Sequence, residues 1–283
     1  MLNIIEINHL NYTYLPGTPY EHPALKDISF AIAQGEFVGI FGPNGSGKST
    51  LAQMLNGLIQ PTHGTISICG MSAADAKSRK ELWKKAALVF QYPEQQIFQI
   101  SVFDEVAYGP RNMGLPEQEI KKRVEQALLE VGLNPDAISK QSPTSLSGGI
   151  RRRIAIAGML AIQPAVLILD EPMAGLDAIG RKLILTMIKN RKAKGETTLM
   201  ISHDLKEMMM ITDKIILLDQ GTLVFFGSVA DLLNQKGILK QYRLQVPDYV
   251  QVITALSAKG LPVNMAIRTI EEAGDEIIKF HRD

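Results

Sequence analysis

The stretch Gly42-Pro43-Asn44-Gly45-Ser46-Gly47-Lys48-Ser49 matches the spacing G-x-x-x-x-G-K-[ST]. That spacing has a chemical reason. Glycines let successive backbone N–H groups turn inward around phosphate oxygens, a lysine at the position of Lys48 reaches the β and γ oxygens, and the Ser49 hydroxyl is free to ligate Mg²⁺. With Thr50 directly after it, this stretch is a candidate cradle for a nucleoside triphosphate. A second string, Val166-Leu167-Ile168-Leu169-Asp170-Glu171, is four aliphatics followed by two acids. Asp170 suits holding Mg²⁺ through water, and Glu171 suits orienting or deprotonating an attacking water. Upstream of it, Leu146-Ser147-Gly148-Gly149 precedes the helix-like run Ile150–Leu160. Ser147, with the free N–H groups of Gly148 and Gly149 at that helix start, forms an anion site suited to a γ-phosphate.

These side chains need rigid elements behind them. Glu36–Phe41 is a short apolar run that reads as a buried strand feeding the glycine loop, and Leu51, Leu55 and Leu58 beyond the loop recur at helical spacing. The runs Phe37–Phe41, Ala87–Phe90, Val166–Leu169, Thr197–Ile201 and Lys214–Leu218 alternate with helical stretches, which predicts an α/β fold with several parallel strands. Leu2–Ile7, Ile28–Ala33, Thr65–Cys69 and Thr222–Phe226, beside turn residues, read as a smaller antiparallel layer. From about Tyr92 to Leu160 helical patterning dominates. Pro116 opens one helix with Ile120, Val124, Leu128 and Val131 on one face, and Gly132 stops it. The sheet alternation ends near Asp231, dividing the chain into residues 1–230 and a small helical tail, 231–283. In the tail, Asp248 is expected to cap a helix with Tyr249, Val252, Ile253 and Leu256 on one stripe up to Gly260. Thr269 with Glu272 makes a capping box for the last helix.

Composition narrows the class further. A chain of 283 residues can bury a full core. Thirty Lys+Arg against 29 Asp+Glu leave a formal charge of +1, so no overall field favours nucleic acid or an acidic membrane. Cys69, the only cysteine, excludes an intrachain disulfide and a cysteine-based metal site and fits a reducing compartment. The N-terminus lacks the basic start and apolar core of a secretory signal. The least polar stretch, Ile154–Leu169, falls short of the roughly 20 residues a membrane span needs and is broken by Gln163-Pro164. A soluble chain is expected, one that reaches a membrane only by docking onto another subunit.

The phosphate loop, the LSGG string and the acid-ended strand, in this order, resemble the nucleotide-binding domain of ATP-binding cassette (ABC) proteins over roughly residues 2–230. The resemblance implies a P-loop fold of that type: a RecA-like parallel core, an antiparallel β layer and a helical subdomain at about 92–160, followed by the C-terminal extension. It implies ATP and Mg²⁺ as ligands and ATP hydrolysis as the activity. Carried over by position, Gln91 matches the glutamine that links the metal site to the helical subdomain, and joins Ser49 and Asp170 as a metal residue. His203, in Ile201-Ser202-His203-Asp204, matches the histidine that contacts the γ-phosphate and completes a catalytic group with Glu171 and Gln91. Tyr14 matches the aromatic that stacks on adenine, with Tyr12 as the alternative. Asp177 lies in Gly175-Leu176-Asp177, which resembles the loop that crosses to the partner subunit. In ABC dimers two chains meet head to tail, so each ATP lies between one chain's phosphate loop and the other's LSGG motif, and hydrolysis lets the pair open.

A finer resemblance rests on Tyr92-Pro93-Glu94-Gln95-Gln96-Ile97-Phe98, Asp104–Pro110, Ser142-Pro143, Ala155–Gly158 and Ala174–Asp177. These are similar to the ATPases of energy-coupling factor (ECF) vitamin transporters, and more to the second of the two paralogues such systems pair. This likeness implies a paralogous ATPase partner in a heterodimer, or a homodimer, and no nucleic acid. A transmembrane scaffold would dock near Tyr92–Phe98, with Tyr92, Ile97 and Phe98 as the apolar floor of its groove. Exchangeable membrane subunits would choose the vitamin, and the chain would sit peripherally on the cytoplasmic face of the cell membrane. The alternatives are the ATPase of another ABC importer, for cobalt or nickel, and a soluble ABC ATPase outside transport. Two residues depart from the pattern: Ile150 stands where a glutamine usually follows LSGG, and Met173 where a threonine is common. Arg151-Arg152-Arg153 reads as a solvated basic face with one or two interface contacts.

Overall fold

The computed structural model describes residues 2–264, 267 and 269–279. A six-stranded sheet is built from β3 (Phe37–Phe41), β6 (Ala86–Val89), β7 (Val166–Asp170), β8 (Thr197–Ile201), β9 (Lys214–Asp219) and β10 (Thr222–Ser228), in the order β10-β9-β3-β8-β7-β6. From β9 to β6 the neighbours run parallel. Every residue of β7 and β8 is buried, because layers cover both faces, and strands so enclosed read as unbroken apolar runs. Val166 and Ile168 join the core on one side of the sheet and Leu167 and Leu169 the core on the other, as a period of two requires.

On the first side lies an antiparallel sheet of β1 (Asn3–Tyr14), β2 (His22–Ala33), β4 (His63–Ile68) and β5 (Met71–Ser72), ordered β2-β1-β4-β5. Its Ile5, Ile7, Ile28 and Ile66 pack with α1 (Lys48–Asn56) on Val38, Ile40 and Ile168. The short, exposed α2 (Ala76–Glu81) follows β5. Thr222–Phe226, expected in this layer, lies instead at the edge of the first sheet, where Leu223 pairs with Leu218 and Phe226 with Ile216. The reason is local. Gln220 and Gly221, with φ of 47° and 78°, form a two-residue turn of the kind that folds a strand back on its predecessor.

The second side carries α3 (Val102–Asn112), α4 (Glu117–Glu130), α5 (Pro135–Ile138), α6 (Gly148–Leu160) and α7 (Ala178–Ala193). Ile120, Val124, Leu128 and Val131 are buried on one face as expected, with Pro116 at the N-cap and Gly132 left-handed just past the end. Beyond β8 comes α8 (Leu205–Ile211), and beyond β10 the tail forms α9 (Val229–Asn234), α10 (Lys236–Gln241), α11 (Asp248–Ala258) and α12 (Ile270–Lys279). Leu232, Leu233, Leu244 and Val250 pack on Leu205, Met209, Ile215 and Leu217, so the tail shares a core with the sheet edge. Asp248 is not the cap of α11. Pro247 takes that place with the extended ψ of 142° a cap requires, and Asp248 becomes the first helical residue. The buried residues of α11 are Val250 and Ile253, while Val252 is exposed, so the apolar stripe is rotated from the expected one. The Thr269 hydroxyl accepts the Glu272 N–H at 3.2 Å, the first half of the expected capping box. No helix among the described residues is long and apolar enough to cross a membrane.

Leu232 is fully buried where the tail meets β9. Leu232→Ala is expected to cost about 2–5 kcal/mol through lost burial and the cavity left behind, read as a lower denaturant midpoint with an unchanged slope.

Candidate active site

Parallel strands present their C-terminal ends at one edge of a sheet, and four of those ends carry the predicted chemistry. β3 runs into Gly42, β6 into the segment bearing Gln91, β7 ends on Asp170, and β8 leads to His203. A cleft of about 290 Å³ at this edge is lined by Tyr14, Asn44, Gly45, Gly47, Lys48, Ser49, Thr50, Gln91, Asp170 and Glu171. His22, Ala24 and Ile201 line it too, and sequence reasoning missed them. His22 stands opposite Tyr14 in the β1–β2 register, a pairing that emerges only once the bulges of that ladder are known.

Gly42 and Gly47 shape the loop between β3 and α1. A Cβ on Gly42 would sit 2.1 Å from the Leu218 carbonyl oxygen, and one on Gly47 2.7 Å from that of Ala24, while Gly47 itself holds φ near 101°. No larger residue fits either place. Pro43 closes the turn by accepting the Ser46 N–H at 3.2 Å. Lys48 Nζ donates to the carbonyls of Gly42 and Pro43, both at 2.8 Å. Burial pushes the Lys48 ammonium below its ordinary pKa, against the opposing pull of Asp170 and Glu171.

The Ser49 hydroxyl donates to Asp170 Oδ2 at 3.0 Å. Asp170 is buried, and that burial raises its carboxyl above the usual range despite the Ser49 bond and the Lys48 charge. A serine hydroxyl, a carboxylate and the Gln91 amide are hard oxygen donors, the set Mg²⁺ takes together with waters and phosphate oxygens. Glu171 adopts the left-handed φ of 50°, a strain of about 1 kcal/mol for a residue with a Cβ. Both its carboxylate oxygens lie within 3.0 Å of His203 Nδ1, which fixes the carboxylate at the mouth of the cleft. Tyr14 reaches the Thr50 hydroxyl at 3.0 Å, and Tyr12 packs behind it edge-to-face at 4.7 Å, partly in the core. Of the two tyrosines only Tyr14 lines the cleft.

Ser147, Gly148, Gly149 and Asp177 are not brought to this cleft within one chain. Ser147 caps α6, its Oγ accepting the Ile150 N–H at 3.4 Å, and Asp177 caps α7, accepting the Gly180 N–H at 2.7 Å. Gly148 and Gly149 line a separate cavity of about 330 Å³ with Tyr92, Glu94, Arg152 and Gly175. Ile150 turns inward onto the helical core.

Two expectations are corrected here. Tyr92 and Ile97 do not floor a groove: Tyr92 lines the Gly148 cavity, and Ile97 packs on the helical core. Phe98 alone of the three lines an apolar groove of about 530 Å³, with Leu58, Trp83, Tyr108 and Met159. Nor is Arg151-Arg152-Arg153 a solvated face. Arg152 is 4% exposed and paired with Glu94, and Arg153 donates to the Val131 and Gly132 carbonyls at 3.2 Å, closing the end of α4.

Residues 25–174 match the family described as ABC transporter. The chain belongs to that family. It is 44% identical over 280 residues to the energy-coupling factor transporter ATP-binding protein EcfA2 of Caldanaerobacter subterraneus subsp. tengcongensis, covering 98% of both chains. To the EcfA2 of Clostridium perfringens it is 42% identical, covering 99% of each. Among solved structures it is similar to CbiO1 from Clostridium perfringens, part of the ABC transporter complex CbiONQ, with a TM-score of 0.73, 35% identity and coverage of 86% of this chain and 95% of that one. A dimeric ATP-binding cassette in a post-hydrolysis state, bound to ADP and Pi, superposes with a TM-score of 0.71 at 27% identity, over 80% and 98% of the two chains. With the family comes the activity: this chain is an ABC-type ATPase.

The raised Asp170 carboxyl gives a testable sign. The folded chain binds that proton more tightly than the unfolded one, so the carboxylate costs stability above its folded pKa and the cost vanishes as pH falls through it. Asp170→Asn, measured without nucleotide or divalent cation, is expected to raise Tm at neutral pH and to lose that gain on acidification. Its ATP hydrolysis is expected to fall sharply, read as turnover against wild type.

Proposed function

We propose that this chain is the ATP-hydrolysing subunit of an energy-coupling factor transporter, working as half of a head-to-tail ATPase pair that powers uptake of vitamins or other micronutrients. The observation that carries this reading is the separation of the phosphate cleft from the cavity lined by Gly148 and Gly149, the residues that follow Ser147 at the start of α6. An anion site at a helix N-terminus that cannot reach its own chain's nucleotide is of use to a partner's. The EcfA2 relatives and the CbiO1 likeness support the transporter assignment.

In this reading residues 1–230 form the nucleotide-binding domain, with a helical subdomain at about 92–160, and residues 231–283 a C-terminal extension. The backbone from Gly42 to Thr50 and the Lys48 ammonium hold the triphosphate of ATP, with Tyr14 against the adenine. Ser49, Asp170 and Gln91 would hold Mg²⁺, which when bound neutralises charge on the β and γ oxygens. Glu171 takes a proton from the attacking water as the new O–P bond forms and the bond to the β-phosphate oxygen breaks. His203 keeps that carboxylate in place and, in this reading, contacts the γ-phosphate. Ser147, Gly148 and Gly149, with Asp177 at the adjoining loop, serve the nucleotide held by the partner. ATP then bridges two chains, and its hydrolysis removes the bridge.

The companion is a paralogous ATPase in a heterodimer, and the pair lies peripherally on the cytoplasmic face of the cell membrane. A transmembrane scaffold docks where Phe98, Tyr108, Leu58 and Trp83 leave an apolar groove beside the Tyr92–Phe98 segment. Exchangeable membrane subunits select the cargo.

Hydrolysis by the isolated chain is expected to be slow and to rise more steeply than linearly with its concentration, with far higher turnover in the complex purified from its native membrane. Lys48→Ala abolishes ATP binding, whereas Glu171→Gln binds ATP and accumulates a closed dimer on size exclusion. Strictly linear, fast turnover of a monomer at low concentration rejects the shared site. The proteins that copurify decide the class of importer: a scaffold with small vitamin-binding membrane proteins supports this assignment, and a substrate-binding lipoprotein rejects it.

A further inference from the structure

Arg152 has no part in the roles above, yet among the described residues it is one of the most buried charged groups. Its Nε and Nη2 donate to the two Glu94 oxygens at 3.0 and 3.2 Å, a bidentate pair across 58 residues of sequence whose side chains are 5% and 19% exposed. The same guanidinium lies 5.7 Å over the Tyr92 ring. It also borders a third segment, since a Cβ on Gly175 would sit 3.9 Å from its Nη1.

What these contacts join is informative. Tyr92 and Glu94 directly follow Gln91, which lines the phosphate cleft, and Tyr92 has the left-handed φ of 58° that turns the chain away from it. Arg152 stands on α6, one turn beyond Ser147 and Gly148. A planar fork bonded to both carboxylate oxygens fixes orientation as well as distance. With Arg152 so buried, Glu94 cannot shift away without leaving a buried charge unpaired.

We infer that Arg152 is a positioning residue: through Glu94 and Tyr92 it locks the segment after Gln91 to the Ser147–Gly149 motif, so that a chain's own phosphate cleft and the anion site it offers its partner move as one body. The inference rests on the shared-site reading and adds to it a route by which nucleotide at one site biases the other. It also places the scaffold groove, through Phe98, a few residues from the strut.

The test compares wild type with Arg152→Lys, Arg152→Met, Glu94→Gln, the single reversals Arg152→Glu and Glu94→Arg, and the double exchange that combines them. Two quantities are read: ATP affinity of the isolated chain, and the factor by which assembly into the native membrane complex stimulates hydrolysis, with its Hill coefficient. ATP affinity is expected to stay within about twofold of wild type throughout, while stimulation falls about tenfold in Arg152→Met and Glu94→Gln and the Hill coefficient drops toward one. Arg152→Lys, which keeps the charge but not the fork, falls between, and the double exchange recovers part of what either reversal alone loses. If Arg152→Met does not fold, Arg152→Lys and Glu94→Gln decide. Wild-type stimulation and cooperativity in those variants overturn the inference, as does a fall in ATP affinity that parallels the loss of stimulation, which marks a role in holding the fold together. A wild-type chain that assembles without any stimulation overturns the shared-site reading itself, and the strut with it.

Discussion

The burial of β7 and β8 on both faces is the constraint from which the site arises. Neither strand has an exposed residue, so a charged group within either would have to be desolvated without a partner. Charge is therefore driven to the strand ends. Because the neighbours from β9 to β6 are parallel, the same ends meet at one edge, and groups far apart in sequence converge there: Lys48, Gln91, Asp170, Glu171 and His203. The two cores, one under each face of the sheet, hold the strands in the register that keeps this edge assembled.

The convergence has an energetic cost that only such a scaffold can bear. Burial disfavours the charged forms of Lys48 and Asp170, and their mutual attraction restores only part of what is lost. Glu171 adds a left-handed backbone held by its N–H bond to the Ile201 carbonyl at 3.0 Å. Lys48 meanwhile directs its hydrogen bonds to two neutral carbonyls. Replacing them with phosphate oxygens exchanges neutral acceptors for charged ones, whose hydrogen bonds are roughly twice as strong. For Lys48, then, a phosphate ligand would offset the burial that disfavours its charge in the free site.

Much of this was legible in the sequence for identifiable reasons. The central strands announce themselves because double burial demands continuous Val, Ile and Leu, and the loop because only glycine fits at Gly42 and Gly47. α4 was readable from one apolar face with a proline before it and a glycine after. What was hidden depends on partners remote in sequence. The run Arg151-Arg152-Arg153 looks like a solvated face until Glu94 supplies a counter-charge 58 residues away. Thr222–Phe226 has the apolar content of a strand in either sheet, and only the tight turn at Gln220-Gly221 assigns it to β9. At Pro247 and Asp248 two residues compete for one cap, and the backbone already extended at the proline wins. His22 had no signal at all, because a bulged ladder sets what it faces.

The tail bears on the site as well, through the turn between β9 and β10. Tyr242, just beyond α10, donates its hydroxyl to Asp219 at 3.1 Å, and burial together with that bond raises its pKa. Asp219 ends β9 and begins the turn. Gly221 in the same turn donates to the Ser46 carbonyl at 3.2 Å and accepts from the Lys26 N–H at 2.7 Å, while the Leu218 carbonyl is what forbids any side chain at Gly42. The phosphate loop is therefore backed by a turn that the C-terminal helices hold from the other side. Phe41, the last residue before the loop, packs into the same cluster as Leu232, Leu244 and Tyr242. A chain stopped near residue 230 would keep every motif that carries chemistry and would lose the support behind the loop that must present it, so the extension belongs mechanically to the nucleotide site although none of its described residues lines the cleft.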